Sequence, residues 1–177
     1  MDRPQILYAD PENLFVAAFI GSPAMNLVEA QVDNEAVLFG GYEIPLPQAR
    51  RPEVGRDGTV ILGIRPESFE DALFAPADLP TVDVVAEVVE ELGAETHLFF
   101  TVDAPRVDTE ELRAAASGED DTLLVERRAV FAARVDPASH ARPGGSLKLA
   151  VDTSRVHFFD PASGMSLLRK PALVARV

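Results

Sequence analysis

The groups with which this 177-residue chain could do chemistry are three histidines, 29 aspartates and glutamates, and 16 lysines and arginines, with no cysteine. His97, His140 and His157 are widely separated, and none has a histidine or cysteine neighbour at ligand spacing, so no metal site follows. The acidic runs Glu90–Glu91 and Glu119–Asp120–Asp121 lack the glycine and alternating oxygens of an EF-hand loop and read as solvated segments. A phosphate-binding loop needs glycine-rich backbone amides and a Gly-Lys-Ser/Thr ending ahead of a helix. The nearest stretch, Gly144-Gly145-Ser146-Leu147-Lys148, has its lysine after a leucine and lies inside a strand candidate. Among so many carboxylates no particular pair can be nominated for acid–base catalysis. Catalytic, cofactor-binding and metal-binding residues are therefore not assigned.

The charged residues that stand out sit where apolar runs end. Arg65 and Glu67 flank Pro66 after the run Thr59–Ile64, where an ion-pair or interface role weighs about as much as turn chemistry. Glu90 with Gly93, and Asp160 with Gly164, read first as turns, because glycine permits a positive φ and Asp160-Pro161 opens a turn.

The elements that must position these groups begin with a helix. Asp10 suits an N-cap, Pro11 the first helical position and Glu12 the positive end of the dipole, while Gly21 permits a left-handed cap and Pro23 stops the helix. Leu14, Phe15, Val16, Phe19 and Ile20 occupy more than one face, so neighbours are expected on several sides. Burying all five at about 1.5 to 3 kcal/mol each would contribute on the order of 10 kcal/mol.

After Met25 the pattern changes to short runs rich in Val, Leu and Phe, broken by Gly, Pro and Asp, as in an all-β barrel or sandwich. Strands are predicted over 26–32, 34–39, 42–46, 59–64, 81–89, 96–102, 122–126, 129–135, 146–152, 155–159 and 165–168. Asp33-Asn34 suits a hairpin, Pro45 an edge strand, and Leu92-Gly93-Ala94-Glu95 a turn. One helical turn is predicted over 68–74, a short helix over 108–117 and a loop over 118–121. Arg50, Arg51 and Arg56 are mixed with Glu53 and Asp57 in a solvated connection and form no basic patch.

Composition narrows the function classes. The chain is 47% hydrophobic and 25% charged, ordinary for a globular protein of one domain or two small intertwined ones. The longest apolar run, Leu14–Ile20, is far short of the roughly 20 residues of a membrane helix, and the N-terminus has no apolar signal region. A net charge of −13 weighs against nucleic acid or an anionic membrane surface as a partner. A cytoplasmic setting is the expectation.

The run Phe19-Ile20-Gly21-Ser22-Pro23-Ala24-Met25-Asn26, with Gln5–Tyr8 upstream and Gly63-Ile64-Arg65-Pro66-Glu67 downstream, resembles the C-terminal part of the ATP-binding subunits of ATP-binding cassette (ABC) carbohydrate importers of the maltose and glycerol-phosphate type. The resemblance runs from about Gln5 to Leu168 and implies a mainly β fold of transport-associated oligonucleotide/oligosaccharide-binding (OB)-like barrels with short helices. It implies a remnant helix of an ATPase domain over 1–25, then a regulatory domain over 26–177 whose approximate halves are 26–80 and 81–168. The ATP and Mg2+ machinery would lie upstream, since the Leu-Ser-Gly-Gly-Gln signature and an apolar run ending in Asp-Glu are also missing, and this chain should not hydrolyse ATP. By the same resemblance the chain forms a homodimer and works with an ATPase domain, membrane subunits and a regulatory protein, peripherally on the inner face of the cell membrane. Leu14, Phe15, Phe19, Ile20, Met25, Arg65, Glu67, Glu90 and Gly93 become the interface candidates. The alternative is a sensor domain for a small oxyanion or sugar.

Overall fold

A computed structural model describes residues 8–107 and 128–168. The helix, loop and strand expected over 108–126 lie outside the described residues. The elements are a helix α1 (Leu14–Phe19) and strands β1 (Asn26–Asp33), β2 (Ala36–Phe39), β3 (Tyr42–Pro45), β4 (Thr59–Ile64), β5 (Phe69–Asp71), β6 (Thr81–Val85), β7 (Val88–Glu91), β8 (Thr96–Pro105), β9 (Arg128–Val135), β10 (Ser146–Val151) and β11 (His157–Phe159). The fold is mainly β, in keeping with the OB-like expectation.

Three antiparallel sheets share one core, in the strand orders β11-β4-β1-β2-β3, β5-β10-β6 and β7-β8-β9. Strands from the two ends of the sequence interleave: β11 pairs with β4, and β10 lies between β5 and β6. Val28, Val60, Leu62, Phe100, Phe131 and Phe158 pack in the common core. The apolar run of β4 is explained by burial on both faces. Val60, Leu62 and Ile64 enter that core, while Ile61 joins a second cluster with Leu14, Ala17, Met25 and Phe159 beneath α1.

Turn chemistry holds where a local conformation demanded it. Asn34 adopts φ 49° in the β1–β2 hairpin, and Gly40 and Gly41 adopt 53° and 84° between β2 and β3, whose Pro45 sits on a sheet edge.

Other expectations are corrected. The N-cap of α1 is Asn13, whose side chain accepts from the Val16 amide, and not Asp10. Glu12 and Leu14, on either side of Asn13, are held by the turn after β11: Leu14 N donates to Gly164 O at 2.8 Å and Ser166 N to Glu12 O at 3.0 Å. Gly21 has φ 125°, positive but outside the left-handed helical cap, and the cap residue Ile20 is extended. Phe15 and Phe19 are about half exposed, so the helix has one buried side and the expected burial of five side chains does not occur. The helical turn predicted over 68–74 falls at Pro66–Ser68, and Phe69–Asp71 is a strand. The strand predicted over 81–89 breaks at Ala86-Glu87, where the Ala86 amide donates to Gly145 O and the Glu87 amide to Phe99 O, sending β6 and β7 into different sheets. Residues 165–168 make bridges to Asn13 and Phe159 and no strand.

Candidate functional site

Arg65 organises the first candidate site. Pro66 ends β4 and holds Arg65 extended (φ −73°, ψ 148°), and the side chain is 2% exposed. Its Nε and Nη2 donate to the Tyr8 carbonyl at 3.1 and 2.6 Å, and its Nη1 donates to the Ile20 carbonyl at 2.7 Å. The guanidinium also stacks over the Tyr8 ring. The Tyr8 hydroxyl donates to Glu67, and Arg155 approaches the same carboxylate at 3.7 Å. Arg65 and Glu67 thus clamp the segment 8–20 onto the barrel and are not presented on an open interface.

Electrostatics follow from that burial. Desolvation lowers the Arg65 pKa below the ordinary arginine value, partly offset by Tyr8 and Glu67. Burial raises the Tyr8 pKa, helped by Glu67 and opposed by Arg65 and by Arg134 of β9. His157, 4% exposed, is pushed down to about 4, first by burial and then by the charges of Arg50, Arg65 and Arg155. A neutral imidazole there avoids adding to a concentration of three arginines.

Leu14 and Met25 are buried in the cluster beneath α1, and Ile20 contributes its carbonyl to the clamp. The rings of Phe15 and Phe19 lie 4.6 Å apart on the exposed side of α1, with Met165 also exposed. Glu90 and Gly93 belong to the third sheet. Glu90 is exposed and pairs in register with His97, while Gly93, with φ 83° and nothing near it, forms the β7–β8 turn. Asp160 accepts from Ala162 N and Ser163 Oγ, and the Ser163 hydroxyl, then the Ala162 amide, draws its pKa down. Gly164 turns the chain onto the start of α1. The structure therefore gathers Tyr8, Ile20, Arg65 and Glu67, and leaves Glu90 and Gly93 elsewhere in the fold.

Asn26 was missed as a site residue, although it ends the motif run quoted above. Buried at 5% exposure, it donates to Ile64 O at 2.9 Å and Ala132 O at 2.8 Å and accepts from Ala132 N at 2.6 Å, tying β1, β4 and β9 together. A polar residue at the first position of an apolar strand was the available signal.

No cluster of three or more potential ligands that could hold a metal occurs among the described residues, and no described helix is long and apolar enough to cross a membrane. An open groove of about 570 Å3 runs beside β10, lined by Leu73, Ala141 and Leu147 with Asp71, Arg142 and Lys148. Its charges are balanced, because Lys148 already bonds Asp83 at 2.8 Å.

The family description MalK OB fold domain matches residues 21–69. The trehalose import ATP-binding protein SugC of Mycobacterium tuberculosis is 37% identical over 171 residues, 93% of this chain and 43% of that protein. The diacetylchitobiose uptake system ATP-binding protein MsiK of Streptomyces coelicolor is 31% identical over 94% of this chain and 42% of its own length. The trehalose/maltose import ATP-binding protein MalK of Thermococcus litoralis is 30% identical over 93% and 40%. The chain spans about two fifths of the length of the curated relatives it matches.

Proposed function

This chain carries a MalK-type OB-fold domain and is a relative of the ATP-binding subunits of ABC sugar importers, and we propose that it is a non-catalytic regulatory and dimerisation domain. The observation that carries this reading is similarity over 93% of the chain to such subunits, in a sequence without a phosphate-binding loop. In a subunit of the relatives' length, ATP and Mg2+ would be held by an ATPase domain joined through the segment that Arg65 clamps. The barrel, over 26–168, would keep two such subunits together while their nucleotide sites open. A tether of this kind maintains a high effective concentration of one ATPase domain for the other. The assembly would sit on the cytoplasmic side of the membrane with its membrane subunits, and a regulatory protein favouring one arrangement would shift its population.

Sedimentation velocity of the chain, with a phosphate-release assay in Mg-ATP, tests the proposal. A concentration-dependent dimer with no phosphate release is the expected result. Monomer at every concentration removes the dimerisation role, and turnover removes the non-catalytic one.

The groove beside β10 favours a second reading, a sensor for a small oxyanion or sugar, since its volume falls within the range of ligand pockets. Calorimetric titration with molybdate, phosphate and sugars decides it: micromolar binding supports the sensor, and no heat with any of them rejects it.

A further inference from the structure

Three arginines from three parts of the chain surround one buried histidine. His157 opens β11, and the short 3-10 turns Gln48–Arg50 and Thr153–Arg155 meet beside it. Arg50 Nη1 lies 3.5 Å from the Val156 carbonyl, in the peptide that leads into His157. Val156 is extended (φ −73°, ψ 152°), which sends the side chains of Arg155 and His157 off the same side of the chain. Arg155 also reaches Glu67 at 3.7 Å, and Arg65 adds the third guanidinium. Three arginines against one glutamate leave an excess of positive charge around a neutral imidazole, in a chain whose total is −13.

Such a concentration is unfavourable without a counter-charge. Burial first, and the neighbouring charge of Arg155 as well, lower the Arg65 pKa, and the Glu67 carboxylate is shared with the Tyr8 hydroxyl. His157 is unsatisfied too. Its side chain is more than nine-tenths buried, yet neither ring nitrogen has a hydrogen-bond partner among the described residues. Ser68 Oγ is the one sealed side-chain polar atom without a partner among the described residues, so the unbonded imidazole nitrogens keep access to solvent. The more accessible members of the cluster are Arg155, whose side chain is 49% exposed, and half-buried Arg50.

We propose that Arg50, Arg155 and the ring of His157 form a binding site for a phosphate-type oxyanion. A dianion would offset the excess guanidinium charge, and both guanidinium groups offer N–H donors to its oxygens. The neutral imidazole donates from one nitrogen and accepts a P–O–H proton at the other. Arg65 acts through its charge, since its guanidinium is already engaged with the Tyr8 and Ile20 carbonyls. Inorganic phosphate and a phosphate ester share this chemistry. The site is separate from the groove beside β10 and rests on neither the dimerising role nor the sensor reading of that groove.

Calorimetry of the 177-residue chain at pH 7 with inorganic phosphate and with methyl phosphate, against sodium chloride of equal ionic strength, tests the proposal. Nitrogen spectra of the histidine rings locate the anion. Inorganic phosphate should bind with a Kd below about 1 mM. It should also move the ring signals that disappear in His157→Gln. Arg50→Gln and Arg155→Gln should each weaken binding about tenfold or more, with circular dichroism unchanged. Arg142→Gln, in the groove, should leave binding as it was. Binding of inorganic phosphate alone assigns the site to the free ion, and binding of both anions extends it to esters; either result supports the proposal. No heat with either anion, or a response that chloride reproduces, overturns it. Binding lost in Arg142→Gln but kept in Arg50→Gln and Arg155→Gln also overturns it and places the anion in the groove. None of these outcomes bears on the dimerising role, which sedimentation reads separately.

Discussion

Arg65 places its guanidinium carbon 3.8 Å from the centre of the Tyr8 ring while the same group donates to the Tyr8 carbonyl and, at 2.7 Å, to the carbonyl of Ile20. One side chain at the end of a core strand therefore holds both ends of the segment that carries α1. Proposed as the joint between barrel and ATPase domain, that segment is fixed to the end of β4 through Arg65.

Removing the clamp should be costly. Arg65→Gln leaves the Tyr8 and Ile20 carbonyls with fewer donors in a buried setting and should destabilise the chain by about 2–4 kcal/mol in urea unfolding. Arg65→Lys should recover little, since an ammonium cannot fork between two carbonyls and stack on Tyr8 at once. A lysine variant as stable as the natural chain would show that charge alone suffices.

Asn26→Leu should lower stability by about 2–3 kcal/mol, because the Ala132 amide loses its acceptor and the Ile64 and Ala132 carbonyls lose a donor. Asn26→Asp keeps only the acceptor and should fare no better. Amide hydrogen exchange at Ala132 gives a local readout, with faster exchange expected in both variants.

Gly63 is required by close approach. A Cβ there would lie 2.5 Å from Met25 Sδ and 3.1 Å from Phe159 Cε2. Gly63→Ala should cost about 1–3 kcal/mol through overpacking, and Met25→Ala in the same chain should relieve part of that strain. Simple additivity of the two losses in denaturant melts would show that the contact is not the cause.

His157 makes stability pH-dependent in a defined window. Its folded pKa of about 4 lies below the ordinary 6.5, so the unfolded chain takes up the proton first. Its contribution is fully present above pH 6.5 and is lost as pH falls toward 4, for a total on the order of 3 kcal/mol. His157→Gln should abolish that share, so the natural chain should lose more stability than the variant between pH 7 and 4. Parallel urea midpoints across the window would contradict this.

Much of the β architecture was legible along the chain because strand alternation and turns are local. Asn34, Gly40-Gly41 and Gly93 mark their turns through backbone conformations that few residues adopt, and the unbroken apolar run of β4 announces burial on both faces. Locality also explains the failures. The run 81–89 has valine throughout, yet hydrogen bonds to Gly145 and Phe99 split it between two sheets. Asp10-Pro11-Glu12 has the composition of a helix start, but the Glu12 carbonyl accepts from Ser166 N and Asn13 bridges to Met165, so the helix begins only at Leu14.

The sequence by itself determined a strand-rich acidic chain, its turn positions, the kinship of its motifs and the prominence of Arg65, Glu67 and Glu90. Tertiary structure alone decided that Arg65 clamps residues 57 and 45 positions away, that Glu90, His97 and Arg134 stand side by side on three neighbouring strands, and that Phe15 and Phe19 stay exposed. The physical reason is that a turn or a strand is specified by neighbouring dihedrals. The partner of a buried charge is whichever distant group packing brings within hydrogen-bond reach.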